Sequence, residues 1–405
     1  MPGSLPLPYD DREPVYRLRD EKGRAAQELF GAIPGGDEEL VALARARSPD
    51  PSRREALLDA LLPRWDALPL PAASRESLSL LERLETRIVL AGQQPALAGC
   101  PLLLFAKALS AARLARRLRE AGLAAVPVFW IADEDHDVEE LHPGVFPRSG
   151  APPFEIAIPF EEGRTPIADL RLGDGEAPIV AALREALPAT AARGWALEAL
   201  ERSAHPSPSE WFQGFLLQAL QGEGILPVHP AWLRRMQEPI IRGELSSPGS
   251  LAADARAAIP ALEALGLAPP IPRPAELPFF MIGEDGGRNR LEPVPGGARM
   301  AGGEERRLAH RELEQLLREE PERFSPDALL RPLVQDALLE PLAVILGPTE
   351  MAYHLELAGA YPARGIPRPL LMPRLRVRVL DRLLARRLRD RGIDPREAAT
   401  RDDPA

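Results

Sequence analysis

The sequence predicts an α/β protein built around a parallel sheet, and three observations carry the prediction. Residues 87–91 are a short β-branched run, a helical stretch follows, and residues 126–132 are an apolar run with the length and composition of a buried strand. A right-handed crossover through that helix makes the two strands parallel, so their carboxyl ends share one edge of the sheet. A further strand at residues 343–346 ends in Gly347, Pro348, Thr349 and Glu350 and opens another helix, the kind of turn where backbone N–H groups face a ligand.

In chain order, residues 20–85 are helical by pattern, punctuated by prolines and Gly35-Gly36. The strand at 87–91 is broken by Gly92, Gln93, Gln94 and Pro95. Pro101 belongs to the first turn of the next helix, where its missing N–H costs nothing, and Gly122 closes the far end. After the strand at 126–132, residues 152–175 are rich in proline, glycine and short alternating runs, and residues 177–202 are helical. Core-like sequence resumes with a helix at 210–221, a strand at 225–228 and an amphipathic helix at 231–245. A helix near 252–265 follows, then a hairpin over 279–292 turning at Asp285-Gly286-Gly287. Ser325 caps a helix whose first residue is Pro326; Arg331-Pro332 interrupts it, and it resumes over 332–339. The helix after residue 347 carries Tyr353 and His354. In the arginine-rich stretch 374–391, Leu380, Leu383, Leu384 and Leu388 share a helical face that packs on the body, and residues from 398 onward fray.

These changes of pattern divide the chain into a mainly helical segment (1–85), three parts of one core (86–150, 206–245 and 325–376), two insertions (151–205 and 246–324), and a basic helix with its tail (377–405). There is no internal repeat. The 405 residues, 45% hydrophobic, can bury a large core. A formal net charge of −10 argues against nucleic acid or an anionic membrane as partner. The single cysteine, Cys100, excludes an internal disulfide and fits a reducing cytoplasm; no signal peptide or membrane span is visible. Of 50 basic residues only Lys22 and Lys107 are lysine. A lysine inside an apolar helix therefore reads either as drift or as a demand for a compact ammonium that arginine cannot supply.

The apolar run at 126–132 stops in Asp133, Glu134, Asp135, His136 and Asp137. Ligands gather at the carboxyl ends of strands in open α/β sheets, so this cluster reads as an active-site edge in preference to a solvated acidic loop. Carboxylates this dense raise one another's pKa unless cations sit among them, and they favour His136 as imidazolium. His136 is accordingly a candidate general base or anion-binding group. A divalent metal is the alternative use, but the two-histidine helical spacing that would make zinc specific is missing, so no metal ligand is assigned. The parallel geometry places Gly92, Gln93 and Gln94 beside this cluster. His142 stands too near a proline turn to assign, and His205, His229 and His310 are structural or exposed. No phosphate loop, dinucleotide fingerprint or serine elbow is present, which removes kinase, dehydrogenase and serine-hydrolase chemistry.

Taken together, Ala91-Gly92-Gln93-Gln94-Pro95, the Pro101 and Lys107 helix, residues 128–137 with Trp130-Ile131-Ala132-Asp133-Glu134-Asp135-His136-Asp137, Arg331-Pro332 with Gln335, Gly347-Pro348 with Glu350, Ala352-Tyr353, and Met372-Pro373-Arg374 resemble the bacillithiol-forming cysteine ligase family in order and spacing. The resemblance implies a Rossmann-like core similar to the class I nucleotidyltransferases, with two inserted connecting subdomains. It also implies a reaction joining the cysteine carboxyl to the amine of glucosaminyl malate, with ATP or an equivalent as activator; whether a metal is needed stays open. On that footing His136, with Asp135 or Asp137, holds the base and orienting roles, and Glu134 joins the catalytic set. Lys107, Arg331 and Arg374 steady carboxylate, malate or phosphate charge. Gly92, Gln93, Gln94, Trp130, Asp133, Gln335, Gly347, Glu350 and Tyr353 complete the substrate-binding set.

The chain departs from the family pattern at Ala96, at Gly99-Cys100 and at Leu346 and Thr349, positions where the family has Gly, Thr-Gly, and two further glycines. Lost glycines narrow backbone freedom, so a same-fold ligase for another amino acid or amine competes with the leading reading, and a non-catalytic ligand-binding relative comes third. The chain ends 31 residues after Arg374, without the family's coiled coil, which argues against its homodimer. Neither the His-Ile-Gly-His nor the Lys-Met-Ser-Lys-Ser motif is present, so an adenylate intermediate is unsupported.

Overall fold

The computed structural model describes residues 14–21, 23–97, 102–141, 145–146, 152, 154–156, 160–161, 163–173, 175–303, 306–377, 382–395 and 398. Gly99, Cys100, Pro101, His142 and Leu380 fall outside them. Twelve strands follow along the described chain: β1 (Arg87–Gln93), β2 (Ala125–Ile131), β3 (Val145–Phe146), β4 (Phe154–Glu155), β5 (Leu226–Val228), β6 (Phe279–Ile282), β7 (Arg288–Val294), β8 (Gly297–Ala301), β9 (Arg307–Ala309), β10 (Phe324–Pro326), β11 (Ala343–Leu346) and β12 (Leu370–Pro373).

The core is a five-stranded sheet of order β12-β11-β1-β2-β5, parallel at every pairing. All seven residues of β2 are buried, as a strand covered on both faces requires. β5 pairs only from Val128 onward, so Pro127 sits where β2 has a single neighbour and its missing N–H breaks no second ladder. On one face Val89, Ala91, Phe129 and Ile131 pack against Leu104, Ala108, Ala111 and Ala115 of the helix Leu103–Glu120. On the other, Leu90, Val128, Trp130 and Leu346 join Leu333 and Val334 of the helix Leu330–Leu339. Gly122, at φ +80°, ends the first of these helices; its N–H reaches Arg119 O, and Leu123 N–H reaches Leu118 O.

The Rossmann-like α/β core expected from the sequence is therefore present, and β1 runs on through Gly92 and Gln93, two residues past the expected break. Residues 177–202 form two helices, Ala177–Ala186 and Ala191–Arg202, the second capped where Thr190 Oγ1 accepts the Arg193 N–H. The hairpin of β6 and β7 belongs to a second, antiparallel sheet of order β10-β6-β7-β8-β9.

Ser325 and Pro326 correct the reading of residues 325–339. They lie in β10, paired with β6, and the Ser325 hydroxyl accepts from Arg288 Nε. Asp327 caps instead, its Oδ1 accepting the N–H groups of Leu329 and Leu330. Pro332 falls within the first turn, where no N–H is missed, so Arg331-Pro332 opens the helix without interrupting it. In the helix Arg382–Asp390, Leu383 and Leu384 are exposed (39% and 43%) and Leu388 is half-buried. Among the described residues, no helix is long and apolar enough to cross a membrane.

Candidate functional site

The parallel sheet brings the carboxyl ends of β1, β2 and β11 to one edge, and the residues there fall into two groups. The first centres on Lys107, which is 2% exposed. Its ammonium donates to Gly92 O (3.0 Å) and Gln93 Oε1 and pairs with Glu350 Oε2 at 2.5 Å. An ammonium has three donors, and all three have partners. Glu350 Oε2 also accepts the Gly347 N–H (2.7 Å), so one carboxylate caps the helix Pro348–Glu356 and ties it to Lys107. Burial lowers the pKa of Lys107, and Glu350 works against that shift. The compact ammonium is thus needed to join β1 to that helix. Lys107, expected to steady substrate charge, has all three donors engaged within the protein.

Gln93, which gives its Oε1 to Lys107, donates from Nε2 to Gln94 Oε1 (3.0 Å). Gly347 is hemmed in: a Cβ there would lie 3.1 Å from Glu350 Oε2 and 3.7 Å from Arg374 Nε. Arg374 stands behind Gly347, donates to Leu375 O, and lines a surface hollow with Ser110 and Arg113. Beside this junction a small cavity of about 30 Å³ is lined by Gly92, Gln94, Trp130, Arg331, Gln335, Glu350 and Tyr353, among others. His354 also lines it, and burial presses its imidazole down to about 3, so it is neutral.

The second group surrounds a cavity of about 280 Å³. Glu134, Asp135 and His136 line it together with Arg273, Arg288, Arg290 and Arg331. Arg331 borders both cavities and is hydrogen-bonded to Tyr353. Arg288 organises the acidic loop. Its guanidinium donates to Asp135 Oδ1 (3.2 Å), to His136 Nδ1 (3.3 Å), to Ser325 Oγ (2.9 Å) and to Pro326 O (2.8 Å), and it stacks 3.8 Å over Phe280. Burial disfavours ionised Asp135, yet Arg288 and Arg331 hold its carboxyl below the usual range.

His136 departs from the charge state expected of it. Burial first, then Arg288, lower its pKa against the pull of Asp135 and Asp137, so the ring is not the imidazolium its neighbours suggested. An arginine can only donate, so Nδ1 accepts and the ring proton belongs on Nε2. In this arrangement His136 presents an Nε2–H.

The remaining carboxylates separate by role. Asp133 is held by His229, Nδ1 to Oδ2 at 2.6 Å, and His229 reaches Gln213 Oε1 at 2.9 Å through Nε2. Asp137 is exposed, caps the Glu139 N–H and lines neither cavity. Glu134 is 2% exposed, with Arg234 3.3 Å away, but neither of its oxygens has a hydrogen-bond donor among the described residues. Burial raises its pKa despite Arg234, Arg288 and Arg331. Main-chain bonds from Ile167 to Asp135 O and from Ala168 to Asp133 O brace the loop from outside.

Sequence reasoning missed Arg288, Arg290 and Arg273. They come from the second insertion and its hairpin, and nothing local distinguishes them among so many arginines. Among the described residues no group of three or more His, Cys, Asp or Glu could hold a metal ion. Neither Ala96 nor Thr349 has a positive φ, so the glycines replaced there are not needed for backbone conformation.

Comparison with known proteins agrees with this architecture. The model of the N-terminal Rossmann-like domain of bacillithiol biosynthesis BshC matches residues 21–375. Proteins named "Putative cysteine ligase BshC" are similar over most of the chain. One from Thermus thermophilus is 35% identical over 371 residues, 90% of this chain and 70% of the relative. Those of Salinibacter ruber and Bacillus licheniformis are 29% and 28% identical, covering 84% and 85% of this chain and 63% and 65% of the relatives. The chain thus spans 63–70% of the length of these curated relatives.

Proposed function

The chain belongs to the bacillithiol biosynthesis BshC family, and on that premise we propose that it is an amide-forming ligase that adds L-cysteine to the amine of glucosaminyl malate. The observation that carries this reading is the pair of cavities meeting at Arg331 on the carboxyl edge of the sheet. A ligase must hold two substrates with their reacting atoms together, and a shared wall provides for that. The larger cavity, lined by Arg273, Arg288, Arg290 and Arg331, suits a substrate carrying two carboxylates.

In the proposed reaction the amine nitrogen attacks the activated carboxyl carbon of cysteine. The C–N bond forms, the C–O bond to the leaving group breaks, and the nitrogen gives up a proton. Glu134 is the best-suited acceptor, because neither oxygen accepts a hydrogen bond among the described residues, Arg234 at 3.3 Å is its ion-pair partner, and burial favours its protonated form. His136 contributes its Nε2–H to the developing negative charge, and Asp135 with Arg288 fixes the ring. Activation requires a co-substrate of the nucleoside triphosphate class, which we take to be ATP. Arg331 and Arg374 are the cations that would meet its phosphates, since the Lys107 donors are already engaged.

The test is to incubate purified protein with glucosaminyl malate and cysteine, with and without ATP and with a chelator, and to analyse the products by mass spectrometry. The cysteinyl amide is expected when ATP is present. No product under any of these conditions would overturn the assignment. A panel of other amino acids and amines in the same assay separates this reading from a ligase of different specificity.

A further inference from the structure

The small cavity lies under the carboxyl ends of β1 and β2, against the helix Leu330–Leu339, and has room for one small group. Its polar lining is unbalanced. Trp130 is 2% exposed, and its indole N–H has no hydrogen-bond partner among the described residues, a state that buried donors rarely keep. Gln335 donates from Nε2 to Asp336 Oδ1 (3.4 Å), and Asp336 is itself fixed by the Tyr361 hydroxyl (2.6 Å). That orientation leaves Gln335 Oε1 as an acceptor 3.8 Å from where a Cβ on Gly92 would lie. Glycine is required there by the close approach of β2, since such a Cβ would lie 3.0 Å from Trp130 O and 3.1 Å from Trp130 Cβ, and the missing side chain leaves the space beside Gln335 Oε1 unfilled.

We infer that this cavity is the side-chain subsite of the amino-acid substrate, and that it selects a thiol, which accepts a hydrogen bond from Trp130 Nε1–H and donates one to Gln335 Oε1. The inference rests on the ligase reading and adds the origin of its side-chain selectivity. A methyl group fits the volume but leaves both polar atoms unpaired. A branched side chain exceeds it. A hydroxyl has the same donor and acceptor, but it is shorter and loses more on leaving water, so cysteine ranks ahead of serine.

Isothermal titration of the whole protein with free L-cysteine, L-serine, L-alanine and L-valine tests this directly. The parent protein is expected to bind cysteine roughly tenfold or more tightly than alanine and to reject valine. Trp130→Phe keeps an aromatic ring and removes the donor, so the cysteine-to-alanine ratio should fall toward one while circular dichroism shows the fold retained, the smaller ring lowering the melting temperature. A purely structural tryptophan would not move that ratio. Gly92→Ala should weaken cysteine binding, with circular dichroism confirming the fold. An unchanged ratio in Trp130→Phe, or no binding of any amino acid, overturns the inference and leaves a cavity for structural water only. The two readings fail separately. Product formation with selectivity independent of Trp130 removes the subsite and keeps the ligase; Trp130-dependent cysteine binding without product does the reverse.

Discussion

The Lys107 junction and the acidic loop lie on the same sheet edge, yet they use charge in opposite ways. Around Lys107 every donor has an acceptor, and the ion pair with Glu350 fastens a strand to a helix. In the acidic loop Asp135 is held by Arg288 and Asp133 by His229 through one oxygen, whereas Glu134, 3.3 Å from Arg234, is buried with neither oxygen accepting a hydrogen bond among the described residues. A satisfied buried charge serves position. One left short of partners retains reactivity at a cost in stability, which is where catalytic groups concentrate. The contrast also warns against reading function from charge alone, since every donor of the lysine most conspicuous in the sequence is already engaged by the protein.

The strongest way to break this contrast is Lys107→Met. Removing the ammonium leaves Glu350 and the Gln93 amide without their partner. Because the Glu350 side chain is 24% exposed, the expected loss is about 3 kcal/mol, the low end for breaking a buried ion pair. Chemical denaturation measures it. A loss under about 1 kcal/mol, with ligase activity abolished, would return Lys107 to the substrate site.

Glu134→Gln sharpens the other half. Because burial raises this pKa, the folded protein holds the proton more tightly than the unfolded chain. Its contribution therefore favours folding at low pH and is lost as pH rises from the ordinary glutamate value through the raised one. The glutamine variant lacks that loss, so its stability relative to the parent should increase with pH across this window, as measured by unfolding midpoints at several pH values. Product formation should fall roughly a hundredfold or more, the usual contribution of a general base. A variant less stable than the parent at pH 8 would mean that Glu134 is a structural partner of Arg234.

The sequence made the parallel core legible because its signals are local: apolar runs of strand length, a glycine that ends a helix, a two-glycine turn. It could not expose contacts fixed by distant pairing. Ser325 resembles a helix cap in isolation, and only β6, more than forty residues earlier, turns it into a strand. The edge position of His136 was readable, but its proton was not, because Arg288 arrives from a hairpin whose register no local pattern reveals. In the same way the acidic run showed five polar groups but not their partners, so Asp133, locked by His229, looked equivalent to Glu134.

Asp137 offers the finest test of that distinction. By sequence it is as much a part of the cluster as Asp135, two residues away, but it is exposed, caps only the short turn that follows and lines neither cavity. Capping at an exposed short turn contributes little, so Asp137→Ala should cost about 0.5 kcal/mol, the low end for losing a cap. Turnover should change less than about threefold, because losing this nearby carboxylate only lowers further the pKa of an imidazole that is already neutral. Parallel kinetics on Asp135→Ala supply the reference. If the two variants lose activity equally, the cluster acts through its summed charge, and the partner-by-partner division drawn from Arg288 and His229 does not govern the chemistry.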